Sequence, residues 1–327
     1  MNLYRLATFN LESFGDDKQP EVELDKRIAI LKPQLKRLDA EILCLQEVNA
    51  QRLDPDKPRQ FHSLDRLLVD TKYERYERAS LLEHPSKALA GVHNLVVLTC
   101  FPIEHVRFLK HDIVSEPMVH VMTADPVASE RVPISWERPA LQVSLKLPSG
   151  QSLHVFNAHL RAPTASFIAG RKRDPWTWKS TSAWAEGLYI SSIKTVGQAL
   201  EIRMAVDRLF DDEPDSLVVV CGDFNSEINE AAMRVTIASE EDTGSPGLAV
   251  RSLVPLERSL PADRRFSVLH HGRPEMLDHI VVSRNLLAYF HELEIHNETL
   301  ADELVVYSKI DRPLTSSHAP LVAAFNY

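Results

Sequence analysis

Apolar runs that stop at polar side chains recur along the chain of 327 residues. The clearest run is Leu217–Cys221, which holds three valines and is followed at once by Gly222-Asp223-Phe224-Asn225. A short, continuous apolar run of this kind is typical of a strand buried on both faces. Polar groups directly after such a strand lie at the carboxyl edge of a sheet, where α/β enzymes place their chemistry. Gly, Asp and Asn are also ordinary turn residues, so this segment alone leaves a plain turn open.

The amino-terminal part of the chain repeats this pattern. A strand predicted over residues 3–9 ends in Asn10 and Glu12, and the next predicted strand ends at Glu47. Between them, apolar residues recur at spacings of three and four over residues 28–38, which predicts an amphipathic helix. This β-α-β order predicts a parallel pair of strands joined by a right-handed crossover.

Later strands end in the same way. Alternating residues over 140–147 and 152–156 flank a Pro-Ser-Gly turn, which predicts a hairpin whose second strand runs into Asn157 and His159. A long helix predicted over about 184–210 leads to the central apolar run. Two more polar pairs adjoin apolar runs near the carboxyl end of the chain: Asp278-His279 and Ser317-His318.

Composition is that of a globular protein. Apolar residues make up 44% and charged residues 25% of the chain, and the formal net charge is −9. This balance argues against a protein that coats nucleic acid through its overall charge, although a local basic patch can still bind phosphate groups. No linker, repeat or low-complexity tract divides the chain, so we expect a single domain over residues 1–327.

A basic segment with tryptophans interrupts this domain at about residues 162–183. Basic residues precede and alternate with aromatic ones here: Arg171, Lys172, Arg173, Trp176 and Trp178. One interpretation is a surface that follows a nucleic-acid backbone and stacks on bases. The other is that the tryptophans pack the segment onto the domain while the cations are solvated.

The sequence also bears on location. Its amino terminus lacks the apolar region and cleavage site of a signal peptide, and no apolar run approaches the ~20 residues that span a bilayer. The three cysteines lie in apolar runs without zinc-ligand spacing, so we expect buried thiols in a reducing compartment. We therefore predict a cytoplasmic protein without a membrane span, and no protein partner is evident.

Together, the polar strand ends resemble those of the endonuclease/exonuclease/phosphatase superfamily, which includes DNase-like and exonuclease-III-like enzymes. The resemblance implies an α/β fold, a four-layer αββα sandwich of two packed mixed β-sheets with helices outside. It also implies divalent-metal-dependent hydrolysis of phosphoester bonds. The matching segments follow the order of the family: Thr8-Phe9-Asn10, Leu45-Gln46-Glu47-Val48, Asn157-Ala158-His159-Leu160, Gly222-Asp223-Phe224-Asn225, Leu277-Asp278-His279-Ile280 and Ser317-His318-Ala319-Pro320.

The resemblance implies a metal centre at Glu47. Mg²⁺ prefers hard oxygen ligands and often uses only one or two carboxylates, and Mn²⁺ is a possible substitute. Asn10 and Glu12 would complete the shell, partly through water. Asn10 is also a candidate for a purely structural role that closes a turn.

The resemblance also assigns catalytic roles. Asp223 would orient and deprotonate the attacking water, and Asn225 would hold a phosphate oxygen. His318 would bind or protonate the phosphoryl group while Asp278 fixes its tautomer and orientation. His159 would be a second imidazole on the phosphate.

Further residues are expected to bind substrate or to play no part in the site. Asn157, Arg161, Ser317 and the basic segment are the candidates for substrate binding, with a turn-closing role open for Asn157. His279 is expected to be a packed strand residue. Three further histidines belong to no motif and are expected on the surface or in the core: His93, His270 and His271.

One position departs from the family pattern. The residue before the terminal histidine is usually Asp, a metal-site carboxylate, and here it is Ser317. We expect looser metal binding, or a single ion, while the pair formed by Asp278 and His318 is retained.

Three functions remain open at this stage. The favoured one is a Mg²⁺-dependent nuclease or phosphodiesterase acting on a phosphoester, with nucleic acid a plausible substrate. The alternative is a phosphatase or phosphodiesterase for small-molecule or lipid-headgroup phosphoesters. A catalytically lapsed binding module is the third, and the retained carboxylates and histidine argue against it: Glu47, Asp223, Asp278 and His318.

Overall fold

The computed structural model of the protein describes residues 3–16, 21–54, 56–81, 89–127, 129–303 and 314–326. Its strands are β1 (Leu3–Phe14), β2 (Ile42–Val48), β3 (Glu77–Ser80), β4 (Asn94–Thr99), β5 (Ile103–Leu109), β6 (Met118–Val119), β7 (Val132–Pro133), β8 (Ala140–Lys146), β9 (Ser152–His159), β10 (Leu217–Asp223), β11 (Leu253–Pro255), β12 (Val268–His270), β13 (Arg273–Glu275), β14 (Asp278–Ser283), β15 (Phe290–Ile295) and β16 (Leu321–Asn326). Its α-helices are α1 (Glu21–Leu38), α2 (His62–Leu68), α3 (Thr181–Asp212), α4 (Ala231–Ile237), α5 (Glu240–Thr243) and α6 (Arg284–Leu287). Short 3₁₀ turns cover Lys72–Arg75, Pro246–Arg251, Leu256–Ser259 and Ala262–Arg264.

Two six-stranded mixed sheets carry the fold. The first sheet has the order β15-β16-β1-β2-β4-β3, and the second has the order β11-β14-β10-β9-β8-β5. In the first sheet β1 and β2 are parallel, which confirms the parallel pair predicted around α1. In the second sheet β9 and β10 are parallel and β8 pairs antiparallel with β9, as the predicted hairpin requires. In α/β folds, functional side chains lie at the carboxyl ends of such parallel strands.

The core explains the long apolar run of β10. Val219 belongs to a cluster that also contains Leu43 of the first sheet, so one face of β10 lies between the sheets. Val218 and Val220 belong to a second cluster with Ile202 of α3, so the other face is covered by a helix. Both faces are buried, as continuous apolarity predicts. Two mixed sheets with helices around them confirm the predicted sandwich, whereas the single domain over residues 1–327 stays a prediction.

A small third cluster holds the basic segment in place. Ile168 of this segment packs with Ala124, Ile134 and Ile190, and Trp178 lies against them. The cation of Lys172 lies 4.7 Å from the centre of the Trp178 ring. Trp178 thus packs the segment onto the domain, while Trp176 is 89% exposed.

The cysteines and the helices bear on two further predictions. Cys44 and Cys221 are buried as expected, but Cys100 is exposed, because it lies just beyond the end of β4. Among the described residues, no helix combines the length and apolarity needed to cross a bilayer.

Candidate active site

Sheet register brings three predicted residues side by side. Asp223 at the end of β10 is paired with His159 of β9 on one side and with Asp278 of β14 on the other. Residues directly opposite each other on neighbouring strands present their side chains to the same face. Local sequence cannot show this alignment, because these residues are more than fifty positions apart in the chain.

Gly222 permits the close packing beneath these residues. Its φ is +131°, and a Cβ atom at this position would lie 2.0 Å from the carbonyl oxygen of Ala158. Only glycine combines that φ with such a close approach of the neighbouring strand. The glycine in the Gly-Asp-Phe-Asn segment is therefore required by the pairing of β9 with β10.

Five of the ten non-glycine residues with a positive φ in the described part of the chain lie around the site. Glu12, Ser13, Glu47, His93 and Asn225 have φ values of 51°, 50°, 56°, 58° and 48°. Such conformations are uncommon for residues with side chains, and they cluster at functional sites where the surrounding structure maintains them. At Glu47 and at the Glu12–Ser13 pair, the strand register also shifts.

Asp223 is the point on which the site converges. Its Oδ2 accepts a hydrogen bond of 3.0 Å from Nδ2 of Asn10, which reaches across from the first sheet. Nε2 of His159 lies 3.4 Å and Nε2 of His318 lies 4.0 Å from the same oxygen. The backbone N–H of Asn225 donates to Oδ1 at 2.8 Å. Burial, together with nearby Asp278, raises the pKa of Asp223 to about 7 despite the opposing effect of His318.

His318 is oriented by a carboxylate. Its Nδ1 lies 2.8 Å from Oδ2 of Asp278, a side chain that is only 2% exposed. Burial alone would lower the pKa of His318, but the charges of Asp278 and Asp223 outweigh it and hold that pKa well above the usual value. His318 is therefore a cation directed at the Asp223 end of the site, which suits an anionic ligand.

Glu47 faces two imidazoles. Its Oε2 accepts from the backbone N–H of Ser13 at 2.8 Å and lies 3.2 Å from Nδ1 of His93. Its Oε1 lies 3.6 Å from Nε2 of His159. Burial works against the charged form, yet the contact with Nδ1 of His93 outweighs it and holds the pKa of Glu47 well below its usual range. An ionised carboxylate beside imidazole nitrogens and oxygen donors fits a divalent cation.

His159 is buried between the two carboxylates. Burial and the nearby charge of Arg138 lower the pKa of His159 well below its usual value, so its ring is neutral. Its Nδ1 has no hydrogen-bond partner among the described residues. The neutral ring, unlike that of His318, is suited to act as a ligand or hydrogen-bond partner and not as a cation.

Ser317 pairs with Glu12. Its backbone N–H and its hydroxyl both donate to Oε2 of Glu12, at 2.6 and 3.0 Å. The preceding Ser316 donates to the carbonyl of Asn10 at 2.7 Å, so the segment before β16 is fastened to the end of β1. At the position where the family has a carboxylate, this chain has a hydrogen-bond donor to a carboxylate.

We expect Ser317→Asp to destabilise the protein in the absence of metal. The new carboxylate would lie against Glu12, and the hydroxyl donor would be lost. Hydrogen bonds to charged groups contribute about 1.5–3 kcal/mol, so the variant should lose at least that much free energy of unfolding in chelator. Urea unfolding with and without Mg²⁺ measures this.

Ser317→Ala is the matched control, because it removes the same hydroxyl and adds no charge. If Mg²⁺ restores Ser317→Asp and leaves Ser317→Ala unchanged, the new carboxylate and Glu12 share a cation. Equal stability of both variants in chelator would contradict the expected repulsion.

Several predicted residues lie elsewhere or have other partners. Asn157 is fully buried, and its amide bridges the sheets through Gln46 at 2.6 Å and the carbonyl of Leu45 at 3.0 Å. Asn225 donates from Nδ2 to the carbonyl of Leu160 at 3.2 Å. In the basic segment, Arg171 donates to the carbonyl of Thr123.

Two residues of the site were not predicted from the sequence. His93 was expected on the surface or in the core, but it lies against Glu47 because the turn before β4 is at the end of β2. Arg138 is partly buried, and its Nη1 has no hydrogen-bond partner among the described residues. No motif marks either residue.

A cleft of about 690 Å³ opens beside His93. Its walls carry the cations Lys110, Arg138 and Arg161 with a single acidic residue, Glu137. Arg161, predicted to bind substrate, also has a buried Nε without a partner among the described residues. Apolar side chains complete the lining: Leu81, Val92, Leu95, Phe108 and Leu141. Positive charge above an apolar surface suits an anion with an attached organic group.

His279 is buried next to the segment that carries Asn225. Its Nδ1 lies 2.6 Å from Oε1 of Glu257, and its Nε2 lies 2.9 Å from the carbonyl of Ser226, just after Asn225. Both nitrogens face acceptors, so the ring is doubly protonated. Burial opposes this charge, but Glu257 outweighs it and raises the pKa of His279. The predicted packing role of His279 thus includes a buried ion pair.

We expect Glu257→Gln to cost about 3–5 kcal/mol of unfolding free energy, the usual cost of removing one partner of a buried pair. Because the pKa of His279 is raised on folding, the stabilisation is full below its unfolded pKa of about 6.5 and is lost as pH rises through the folded value. Chemical unfolding should be followed from below about pH 6.5 to above the folded pKa of His279. The difference in unfolding free energy between wild type and variant should shrink as the pH rises.

Glu303→Gln is the control, since Glu303 makes a similar contact with His270, at 2.9 Å, on the surface. It should change stability by about 0.5 kcal/mol or less. A loss of the same size for both variants would contradict the account of the buried pair.

Comparison with known proteins agrees with the fold. The sequence profile of the Endonuclease/Exonuclease/phosphatase family matches residues 7–300, so the chain belongs to this family of phosphoester hydrolases. Among solved structures, it resembles an AP endonuclease from Archaeoglobus fulgidus, with 16% identity, a TM-score of 0.53 and coverage of 99% of this chain and 100% of that one. It also resembles the 3′ phosphatase NExo from Neisseria bound to product DNA hairpin, with 14% identity, a TM-score of 0.53 and coverage of 99% and 100%.

A third similar structure is truncated TDP2 from Caenorhabditis elegans, with 12% identity, a TM-score of 0.55 and coverage of 99% of this chain and 98% of that one. At these identities the likenesses show the fold alone. Comparison with curated proteins gives no match.

Proposed function

We propose that the protein is a divalent-metal-dependent phosphodiesterase of the nuclease type. The observation that carries the proposal is the convergence on Asp223. A buried carboxylate with a pKa of about 7 lies between a neutral imidazole, His159, and a cationic one, His318. Groups whose environments push their pKa values apart are suited to opposite roles in acid–base catalysis.

Asp223 serves as the general base. A carboxylate with a pKa near neutrality can accept a proton from water more effectively than an ordinary one. Asn10 and the backbone of Asn225 hold its two oxygens in place, at 3.0 and 2.8 Å. His318 binds the phosphoryl oxygens or gives a proton to the leaving group, and Asp278 fixes the ring that does so.

Glu47 would hold the cation, with Mg²⁺ as the expected ion and Mn²⁺ as a substitute. Asn10 and Glu12 would contribute through water, because Oδ1 of Asn10 and Oε2 of Glu12 already accept backbone hydrogen bonds, at 2.9 and 2.6 Å. When bound, the cation neutralises charge on the phosphoryl oxygens.

The cleft beside His93 supports a diester over a monoester. A diester carries an organic group on each side of phosphorus, and the cleft offers one of them apolar walls with Arg138 and Arg161 for a neighbouring anion. Guanidinium N–H groups are suited to phosphate oxygens. Nη1 of Arg138 has no hydrogen-bond partner among the described residues, whereas Arg161 already contacts Thr164 and Glu137. A nucleic acid provides both features, a second phosphate and a base.

A substrate panel tests the proposal. Single- and double-stranded DNA, RNA, a chromogenic diester and a chromogenic monoester are incubated with Mg²⁺, with Mn²⁺ and with chelator. We expect hydrolysis of diesters in the presence of metal, with nucleic acid preferred over the chromogenic compound. Hydrolysis of the monoester alone would favour the phosphatase alternative, and no hydrolysis of any substrate would contradict an enzymatic role.

A further inference from the structure

Three side chains at the Glu47 end of the site direct ligand atoms at one another without ordinary hydrogen bonds. Nδ1 of His93 lies 3.2 Å from Oε2 of Glu47, yet this nitrogen makes no hydrogen bond to any described residue. Nε2 of His159 lies 3.6 Å from Oε1, beyond the normal N–H···O length. The ligand atoms of the three residues all lie within 4.8 Å of one another.

We propose that Glu47, His93 and His159 form a binding site for a transition-series divalent cation, such as Mn²⁺ or Zn²⁺, and hold it in preference to Mg²⁺. Imidazole nitrogens suit transition metals, whereas Mg²⁺ is bound almost entirely by oxygen. Two imidazoles and one carboxylate are also a common set of three protein ligands that leaves a position open for substrate.

Separations between the ligand atoms agree with such a site. Ligands about 2.0–2.1 Å from a tetrahedral cation lie roughly 3.3–3.5 Å from each other. The separations of 3.2 Å from His93 to Oε2 of Glu47 and of 3.6 Å from His159 to Oε1 lie close to this range, so each imidazole nitrogen faces its own carboxylate oxygen. The 3.6 Å contact of His159 exceeds the length of a hydrogen bond, in contrast to the 2.6 Å contact between His279 and Glu257.

The protein holds these ligands before any cation binds. The backbone N–H of His93 donates to Oδ1 of Asn49 at 2.9 Å, which fixes the turn before β4. Ser13 donates to Oε2 of Glu47 from its backbone at 2.8 Å and from its hydroxyl at 3.1 Å. His159 is buried on β9, with a side chain 2% exposed. Partners that fix ligands in this way tune metal sites.

Nε2 of His159 also lies 3.4 Å from Oδ2 of Asp223. Two carboxylates therefore approach one nitrogen at distances too long for strong hydrogen bonds. A cation bound between Glu47 and His159 would supply the close contact that neither carboxylate makes with this nitrogen. The inference rests on the cation proposed at Glu47 and replaces the expected Mg²⁺ there by a transition-series ion. Metal binding can be measured without turnover.

Titration of the metal-free full chain tests the inference. Binding of Mn²⁺ is followed by the loss of the free-ion electron paramagnetic resonance signal, and binding of Mg²⁺ and Zn²⁺ by calorimetry. We expect wild type to bind Mn²⁺ and Zn²⁺ more tightly than Mg²⁺. His93→Asn should weaken Mn²⁺ and Zn²⁺ binding at least about tenfold, since even the loss of an outer partner of a ligand costs 10–100-fold. Mg²⁺ binding should change far less.

Asn is chosen because it tolerates the left-handed backbone at position 93. His93→Gln is a second variant in case the first does not fold, and His270→Asn is the control, since His270 contacts Glu303 outside the cluster. Equal affinity of wild type for Mn²⁺ and Mg²⁺ would overturn the inference. So would a loss in a folded His93 variant no larger than in His270→Asn.

The hydrolysis panel separates this inference from the proposed function. If the His93 variants hydrolyse the substrates with the metal preference of the wild type, the inference is wrong and the proposed function stands. Tight, His93-dependent Mn²⁺ binding without any hydrolysis would do the reverse.

Discussion

Glu47→Gln is expected to lower the rate of phosphodiester hydrolysis at least about a hundredfold in saturating metal. The change removes the charge of the carboxylate proposed to hold the cation, at nearly constant volume. Stabilisation of charge by a bound cation contributes several kcal/mol to a barrier, and about 2.7 kcal/mol corresponds to a hundredfold. Steady-state rates of wild type and variant, with melting temperatures to show that both are folded, measure the effect.

Glu41→Gln is the matched control for this prediction. Glu41 lies just before β2, at the opposite end of the strand from Glu47, and contacts Lys72 at 3.0 Å. Its replacement should affect stability slightly and leave the rate unchanged. A folded Glu47→Gln protein with the wild-type rate would remove Glu47 from the site.

Asp223→Asn and His318→Ala are each expected to lower the rate at least about a hundredfold, the usual contribution of a general acid or base. The two side chains lie 4.0 Å apart and act on the same phosphoryl group in the proposed function. The double variant should therefore lose much less than the product of the single losses, because groups in one catalytic unit are not additive.

Single-turnover rates of the four proteins form the double-mutant cycle. His271→Ala, an exposed histidine outside the site, serves as the control and should retain the wild-type rate. Strictly multiplicative losses would show that Asp223 and His318 act in separate steps.

The part of the site that sequence could predict is the part carried by strand ends. A continuous apolar run predicts a strand buried on both faces, and β10 is one, so the position of Asp223 at its end could be predicted. The parallel pairing of β9 with β10 could not. Parallel strands end at one edge, which also brings Asn10 and Glu47 to the same edge of the first sheet. These inferences need only the period and the order of the elements.

The missing part depends on tertiary contacts that leave no local pattern. His93 reaches Glu47 because an irregular turn with a left-handed residue lies beside the end of β2. Arg138 enters the site from an irregular stretch before β8, where no periodicity guides prediction. Ser317 donates to Glu12, which lies 305 positions away in the sequence. The presence of Ser in place of Asp does not by itself predict this hydrogen bond.

The most direct test of the central claim is the rate of phosphodiester hydrolysis by the purified protein, before and after metal is removed with a chelator and then restored. We predict hydrolysis that stops in chelator, returns with excess Mg²⁺ or Mn²⁺, and is nearly absent at every metal concentration in Asp223→Asn. Hydrolysis that persists in chelator, or that is undiminished in folded Asp223→Asn, would contradict metal-dependent catalysis centred on Asp223.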